Sequence, residues 1–323
     1  MILKEKITLE WICLKTLLSG RKRPIIVSWS VTDRCNLQCK YCGVWQRKST
    51  ELKTSQILDA IKDLFKNGTR MIKFTGGEPL LKEDITTIIN YACDLGIAVT
   101  ISTNGILLPE KIKEIKRISG IFISLDGSES IQNSLRGTGS HAKALEAIKI
   151  AKEYSIRVSI AATLNSMNLN NIKYLLEIAK ELDAKVFFQP SINIILGGNT
   201  PNKVSPEADR YKSAVLSLIE MKRTNKYIGN SAAGLKHLLH WPYKTDINCI
   251  AGKIIFRLDS SGNMNPCGRF PLRNSKLNIK KGIDYCFEQL QPPFCGDCWC
   301  SSMVELNLIM AFNINALVNA IKM

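Results

Sequence analysis

The chain has 323 residues, of which 45% are hydrophobic, and its 44 Lys and Arg outnumber 28 Asp and Glu to give a formal net charge of +16. This length suits a barrel-like α/β domain with a smaller appendage. No stretch approaches the roughly 18 uninterrupted apolar residues of a membrane-spanning helix, and residues 1–10 lack the apolar core and cleavage site of a signal peptide. These features exclude an integral membrane or secreted protein and predict a cytoplasmic one.

The distribution of the basic residues argues against a nucleic-acid partner, because they are scattered through amphipathic helices rather than interleaved with aromatic residues in one stripe. Residues 7–18 are typical of an amphipathic helix and precede the basic run Gly20-Arg21-Lys22-Arg23. This pattern is compatible with peripheral contact with an anionic membrane surface. The competing interpretation, which we favour, is a helix that closes the bottom of a barrel. We treat residues 1–23 as an N-terminal segment.

From Pro24 onward, short β-rich stretches alternate with helical stretches. The predicted strands cover residues 24–32, 71–75, 97–102, 121–125, 156–163 and 185–189, and the predicted helices between them cover 54–66, 85–95, 109–118, 141–154 and 169–182. Such alternation predicts an α/β fold with a parallel sheet and right-handed crossovers. Six units are fewer than the eight of a closed barrel, so we predict a partial (β/α)6 TIM barrel with one open side.

The rest of the chain departs from this repeat. A helix is predicted from about residue 205 to 223, a shorter one ends at Trp241-Pro242, and the chain beyond it is turn-rich and cysteine-bearing. We predict a barrel domain with its following helices over residues 24–245 and a small cysteine-rich C-terminal domain over residues 246–323. Within the latter, residues 304–321 are predicted to form one apolar helix.

Eleven cysteines in a reducing compartment indicate metal or cluster ligation rather than disulfides. Three of them, Cys35, Cys39 and Cys42, lie within eight residues directly after the first predicted strand. An iron-sulfur cube has four irons, so three thiolates leave one iron open to a ligand that is not protein. A structural zinc site would normally have a fourth Cys or His nearby, and the next cysteine is Cys93. The spacing therefore favours a [4Fe-4S] cluster with one open position.

The same loop, with Tyr41 before its last cysteine, resembles the CxxxCxΦC signature of the radical S-adenosylmethionine (SAM) superfamily, in which Φ is aromatic. Three later segments extend the resemblance. Gly76-Gly77-Glu78-Pro79 is similar to the family's GGEP motif, and Ser102-Thr103-Asn104-Gly105 and Ser124-Leu125-Asp126-Gly127 stand where its later cofactor-binding stretches do. The resemblance covers residues 24 to about 190 and implies an enzyme.

This resemblance implies that Cys35, Cys39 and Cys42 are the catalytic ligands of a [4Fe-4S] cluster whose open iron is chelated by SAM. One electron then cleaves SAM to a 5′-deoxyadenosyl radical, which abstracts hydrogen from the substrate. We expect a ferredoxin- or flavodoxin-type protein as the reductant. The residues implied in SAM binding are Tyr41, Gly43, Gly76, Gly77, Glu78, Pro79, Ser102, Asn104, Ser124, Asp126 and Arg136. Of these, Glu78 is expected near the amine, Ser124 and Arg136 near the carboxylate, and Asn104 and Asp126 near the nucleoside.

A second group of cysteines lies near the C-terminus. Cys249, Cys267, Cys295 and Cys298 offer four thiolates, enough to close either a zinc site or a second cube. The segment from Cys249 to Cys267 resembles the opening of the SPASM extension of peptide-maturing radical SAM enzymes. The full SPASM pattern needs seven cysteines, whereas five are present with Cys300, so the resemblance is to the shorter twitch domain with one auxiliary [4Fe-4S] cluster. Cys298 and Cys300 are both candidates for the fourth ligand, and we favour Cys298.

These features together predict a radical SAM oxidoreductase or maturase that acts on a small-molecule, peptide or lipid substrate, with the auxiliary cluster in electron transfer. A ribosomal peptide, a lipid and another anionic compound are the alternative substrates. A structural role for the auxiliary cluster is a competing interpretation. A non-catalytic iron-sulfur or zinc-binding electron carrier is another, but it does not explain three cysteines without a fourth beside GGEP.

Overall fold

The computed structural model describes residues 11–322 except for 14, 17, 116, 196–199, 269–276 and 294. Within these residues, the strands are β1 (Ile26–Thr32), β2 (Met71–Gly76), β3 (Ala98–Thr103), β4 (Gly120–Ser124), β5 (Val158–Leu164), β6 (Lys185–Pro190), β7 (Ile255–Leu258) and β8 (Met264–Asn265). The α-helices are α1 (Thr54–Lys66), α2 (Ile85–Asp94), α3 (Leu108–Lys111), α4 (Glu129–Arg136), α5 (Ser140–Glu153), α6 (Ile172–Glu181), α7 (Ala208–Lys222), α8 (Ala232–Leu238), α9 (Ile283–Gln289), α10 (Ser301–Met310) and α11 (Ile314–Ile321).

The strands form one sheet in the order β6-β5-β4-β3-β2-β1-β7-β8. Each pair of neighbours from β6 to β7 is parallel, and β7 and β8 are antiparallel. Strands β6 and β8 are the two ends of the sheet and do not pair with each other, so the predicted α/β fold with an open, partial barrel is confirmed. The prediction lacked β7 and β8, which come from the cysteine-rich segment and extend the sheet beyond β1. The domain boundaries stay predictions.

The two faces of the sheet differ in chemistry. Trp29 on β1, Phe74 on β2 and Ile101 on β3 are fully buried in the main hydrophobic core together with helix residues, and each such side chain contributes about 1.5–3 kcal/mol to stability. Side chains alternate between the faces of a strand, so Ser28 and Lys73 point to the other face, the barrel interior. The inner face carries small and polar side chains together with a few large apolar ones such as Phe122 and Phe187, and a chamber lies between them.

The helix predictions differ from the structure in three ways. The helix predicted over 109–118 is shorter in the structure, where α3 ends at Lys111 and turns follow. The buried side chains of Ile112 and Ile115 in this segment have the spacing of a helix, which explains the longer prediction. Helices α4 and α9 were not predicted. The single tail helix is wrong, since α10 and α11 are separate: Phe312 has a left-handed φ of 58°, and the Asn313 side chain accepts a hydrogen bond from Ala316 N over 3.2 Å at the start of α11.

The N-terminal segment is described only in part. Residues 11–13, 15–16 and 18 are helical, whereas the predicted helix start at residue 7 lies outside the described residues. Cys13 is buried in a small apolar cluster with Ile25 and Met310, which fits a helix packed where β1 begins. No single helix in the described chain is long and apolar enough to cross a membrane; α10 and α11 reach that length and composition only as a pair, and they are bent by 113°.

Candidate active site

The three-cysteine loop, residues 33–42, follows the carboxyl end of β1. The backbone N–H groups of Gly77 and Glu78 donate to the carbonyl oxygens of Thr32 and Arg34, each over 2.8 Å. The GGEP motif therefore attaches directly to the chain that leads into the cysteines.

Both glycines of GGEP are required by this contact. A Cβ atom on Gly76 would lie 2.2 Å from Thr32 O, and one on Gly77 would lie 2.2 Å from Arg34 O. Neither separation is sterically allowed. The resemblance implied a close approach of backbone to SAM; the structure adds a close approach of two protein segments, which fixes the loop before any ligand binds.

Helix α4 holds the other side of the loop. Lys40 N donates to Leu135 O over 2.9 Å, and Lys40 Nζ donates to Ser134 Oγ over 3.1 Å. Because α4 was absent from the predicted elements, this attachment is a feature that the sequence alone did not reveal.

The three thiols of the loop are partly buried and form no disulfide. Burial is the main cause that raises the pKa of Cys35 to about 11, and it also raises the pKa values of Cys39 and Cys42. Without a bound metal these groups are therefore protonated near neutral pH. Metal binding to such a site releases protons, since the thiolate is the ligand.

The donor set of this loop fits an iron-sulfur cluster. It consists of three thiols on one short segment, which is the ligand type that clusters use. Across the described residues, no three His, Cys, Asp or Glu side chains converge closely enough to share a single metal ion. A cluster differs from a single ion in that each thiolate binds a different iron, so its ligands stand further apart. The donor set of three thiols on one loop therefore fits a cluster with one iron left open.

Glu78 is buried beneath the loop. Its carboxylate accepts hydrogen bonds from Leu80 N over 3.0 Å, Thr103 Oγ1 over 2.7 Å and Asn104 N over 2.8 Å. Burial raises its pKa to about 7 against the opposing effect of these donors. Glu78 thus ties the GGEP motif to the end of β3, and its predicted contact with the SAM amine stays a prediction.

Tyr41, Asp126 and Arg136 form a buried polar group beside Cys39. The Asp126 carboxylate accepts from Tyr41 Oη over 2.5 Å, from Arg136 Nε over 2.7 Å and from Thr163 N over 2.8 Å. Arg136 Nη1 lies 4.0 Å from Cys39 Sγ, and the guanidinium carbon lies 5.4 Å from the centre of the Tyr41 ring. Asp126 therefore has internal partners, which suits positioning of Arg136 and Tyr41; its nucleoside contact stays a prediction.

The other predicted SAM-binding residues lie around the same rim. Asn104 Nδ2 donates to Asn36 Oδ1 of the cysteine loop over 2.8 Å. Ser102 and Ser124 are half-buried at the carboxyl ends of β3 and β4. Gly43 directly precedes a short 3-10 helix, and Pro79 begins another. The fold thus brings together the segments that the sequence placed after separate strands.

The C-terminal cysteines come from three separate places in the chain. Cys249 precedes β7, Cys267 follows β8, and Cys295, Cys298 and Cys300 lie in the loop before α10. Cys298 is electrostatically coupled to the other four, and burial together with this coupling raises its pKa. The five thiols therefore belong to one neighbourhood.

Cys298 and Cys300 differ in their surroundings. Cys298 is half-buried, its Sγ lies 3.8 Å from Asn307 Nδ2, and its carbonyl oxygen lies 2.9 Å from His237 Nε2. Cys300 is exposed, and its Sγ lies 3.4 Å from Ser302 Oγ. Cys298 shares its half-buried setting with Cys249, Cys267 and Cys295, and the choice of Cys298 stays a prediction.

A cavity of about 630 Å³ extends from Tyr41 of the three-cysteine loop to the C-terminal cysteines, and Cys35, Cys39 and Cys42 are not among its lining residues. Tyr41 and Ser102 line it from the side of the three-cysteine loop, and Cys249, Cys267, Cys295, Cys298 and Cys300 line it from the other. A volume of this size is typical of small-molecule sites.

Sequence reasoning missed several residues of the cavity wall. Lys73, Phe122, Phe187 and Arg257 all line it from inside the barrel. None lies in a recognisable motif. The alternation of each strand could have assigned them to the inner face, but the sequence did not predict β7 at all, so Arg257 had no place in the barrel.

Comparison with known proteins agrees with this architecture. Residues 29–182 match the Radical SAM superfamily. A Fe-coproporphyrin III synthase of Methanosarcina barkeri is 33% identical over 50% of this chain and 42% of its own length, and an AdoMet-dependent heme synthase of the same organism is 26% identical over 77% and 78%. The crystal structure of Streptococcus suis SuiB bound to S-adenosylmethionine superposes with a TM-score of 0.68 at 18% identity, covering 83% of this chain and 66% of SuiB. The chain spans less than half the length of the first relative.

The match to the superfamily and the partial barrel define residues 29–182 as a radical SAM domain. More particularly, its relatives come from SPASM- and twitch-type radical SAM families, and the cysteine-rich C-terminal region fits this type. The family uses SAM and a [4Fe-4S] cluster, and SPASM-type relatives carry auxiliary clusters.

Proposed function

We propose that this enzyme cleaves SAM reductively and abstracts hydrogen from a substrate bound in the cavity, and that a second cluster exchanges an electron with the reacting centre. The observation that carries the proposal is the shared cavity, which is lined by Tyr41 and Ser102 at one end and by the C-terminal thiols at the other. A substrate in this space would contact the C-terminal thiols at one end and Tyr41, which belongs to the three-cysteine loop, at the other.

The chain's own residues have distinct roles in the proposal. Cys35, Cys39 and Cys42 would hold the cluster that binds SAM, and together these groups supply a 5′-deoxyadenosyl radical when bound. Arg136, held by Asp126 beside Cys39, is placed to attract the SAM carboxylate. The apolar walls of the cavity would keep water away from the reacting atoms.

Cys249, Cys267, Cys295 and Cys298 would hold the auxiliary cluster, with Cys300 as the alternative fourth ligand. Four protein thiolates leave no iron open to substrate, which favours electron transfer over direct substrate ligation. The half-buried setting that Cys298 shares with Cys249, Cys267 and Cys295 supports its assignment over the exposed Cys300.

The substrate in this proposal is a small molecule or a peptide segment that fits the cavity. A ferredoxin- or flavodoxin-type protein would deliver the electron, in a cytoplasmic setting that keeps eleven cysteines reduced. Exposed Trp11, Leu18, Phe312 and Ile314 near the two termini support peripheral membrane contact as a further proposal. Flotation with anionic phospholipid vesicles tests it, and absence of co-flotation overturns it.

Anaerobic reconstitution with iron and sulfide tests the enzymatic proposal. We expect about eight irons per chain from two cubes, and release of 5′-deoxyadenosine on addition of SAM and dithionite. Replacing Cys35, Cys39 and Cys42 together by Ala should halve the iron and abolish SAM cleavage. Replacing Cys249, Cys267 and Cys298 together by Ala should also halve the iron but leave slow SAM cleavage.

Cys93→Ala is the matched control, because Cys93 lies on α2 outside both groups. It should retain full iron content and activity. SAM cleavage that persists in the Cys35/Cys39/Cys42 variant would disprove the proposal.

A further inference from the structure

Two cationic side chains lie inside the barrel at the same level. Ser28 on β1 is the register partner of Lys73 on β2 and of Arg257 on β7. The two cations are thus on the strands that flank β1, with their Cα atoms about 10 Å apart. Both side chains line the cavity.

The charged end of each side chain lies beside residues that are nearer to the carboxyl ends of the strands than its own Cα atom. Arg257 Nη2 donates to Ser30 Oγ over 2.5 Å, and Ser30 lies two residues beyond Ser28 on β1. Lys73 Nζ lies 4.5 Å from the centre of the Phe122 ring. Lys73 pairs with Thr100 on β3, whereas Phe122 pairs with Ser102, which lies two residues further along β3. Both charges therefore point toward the end of the barrel that carries the three-cysteine loop.

These charges are not balanced by a carboxylate among the described residues. Neither Lys73 nor Arg257 forms an ion pair there, and Arg257 Nε is buried without a hydrogen-bond partner. Asp33 and the thiols of Cys267 and Cys300 act on Arg257 electrostatically, and Cys300 also acts on Lys73. Asp33 Oδ2 accepts from Ser49 and Ser260, and Asp33 Oδ1 is buried without a hydrogen-bond partner. Both side chains are half-buried and open onto the cavity, so an anion bound between them would gain charge-assisted hydrogen bonds.

We infer that Lys73 and Arg257 bind a carboxylate of the substrate, which is a small acid with a large apolar body. The carboxylate follows from the two unpaired cations, and the apolar body follows from the cavity walls, which include Phe122 and Phe187. This inference rests on the proposed function, because it takes the cavity as the substrate site. A carboxylate bound by these two side chains would lie between the three-cysteine loop and the C-terminal cysteines.

The test measures binding of two probes by isothermal titration calorimetry to the anaerobically reconstituted protein with SAM bound. 2-Naphthoate carries a carboxylate on an apolar body, and 2-naphthamide has nearly the same shape without the charge. We expect 2-naphthoate to bind at least about tenfold more tightly, as charge-assisted hydrogen bonds typically give. Lys73→Met and Arg257→Met should each remove most of that preference and leave 2-naphthamide binding unchanged, and Lys73→Arg should retain it.

Lys185→Met is the matched control. Lys185 is also on the inner face, at the amino end of β6, but it donates to Lys322 O over 2.9 Å and does not line the cavity. This variant should keep the full carboxylate preference.

Three results would overturn the inference. Equal affinity of the unchanged protein for both probes needs no variant and is decisive by itself. Competition between SAM and 2-naphthoate would assign the two cations to the SAM carboxylate. Loss of iron in the Met variants with the carboxylate preference intact would assign them to the charge of the auxiliary cluster. SAM cleavage is measured in the same samples. Its failure would refute the proposed function, whereas the affinities of the two probes test the carboxylate site separately.

Discussion

Cys35, Cys39 and Cys42 lie on one loop of eight residues, whereas the ligands proposed for the auxiliary cluster extend from Cys249 to Cys298 and enter from three separate segments. The first site is held by backbone hydrogen bonds from GGEP and α4, and glycines are required where those segments touch. The second is brought together by β7, β8 and the loop before α10. A local spacing rule can identify the first kind of site, but the second depends on how distant segments pack.

The largest expected effect concerns the buried ion pair between Asp126 and Arg136, which lies beside the three-cysteine loop. Asp126→Ala leaves Arg136 buried and unpaired, so the free energy of unfolding should fall by about 3–5 kcal/mol. The matched control is Asp94→Ala, because Asp94 pairs with Arg117 where both side chains are more than 60% exposed, and such a pair contributes about 0–1 kcal/mol. Urea denaturation measures both. Equal losses in the two variants would show that the pair does not anchor the site.

Gly77→Ala tests the contact between GGEP and the cysteine loop. A methyl group there meets Arg34 O and Asp33 O, so we expect a loss of about 1–3 kcal/mol in the free energy of unfolding, as for overpacked cores, together with loss of SAM cleavage. Gly96→Ala is the control, since its Cβ meets nothing within 4 Å and it carries only the cost of a left-handed φ of 82°. It should keep SAM cleavage; a cleavage-competent Gly77→Ala enzyme would contradict the contact.

Glu78 predicts a pH dependence of stability at the first site. Burial raises its pKa in the folded protein to about 7, so between its ordinary pKa and pH 7 the folded state binds more protons than the unfolded state. The contribution of Glu78 to the free energy of unfolding therefore falls as pH rises through this window, by at most about 1.4 kcal/mol per pH unit.

Glu78→Gln should flatten this slope in denaturation curves recorded from pH 5.5 to 8 without SAM. The readout is the slope, because the substitution also shifts stability at every pH by altering hydrogen bonds. An unchanged slope would assign the titration to another group.

Asn307 on α10 gives the smallest expected effect and concerns the second site. Its side chain accepts from Ile250 N over 3.1 Å and donates toward Cys298 Sγ, so it joins two of the cysteine-bearing segments. Asn307→Leu should reduce the free energy of unfolding by about 1 kcal/mol and lower iron content toward one cube, with SAM cleavage retained. Loss of SAM cleavage instead would show that the two sites are not independent.

The amino-acid sequence by itself determined the order of six βα units, the three-cysteine loop and the GGEP motif. These features are local: strand and helix periodicities and ligand spacings are set by residues close together in the chain. The six strands and the partial barrel followed from them and are confirmed.

Only the tertiary structure decided which side chains share the barrel interior. Lys73 and Arg257 lie 184 positions apart in the numbering, and they meet because β7 pairs in register with β1. β7 has four residues, too few for periodicity to mark it as a strand. The break at Phe312 and the attachment of α4 to Lys40 likewise depend on packing and backbone contacts between segments. Long-range register is a property of the folded sheet, and so the chamber between the two cysteine sites became visible only there.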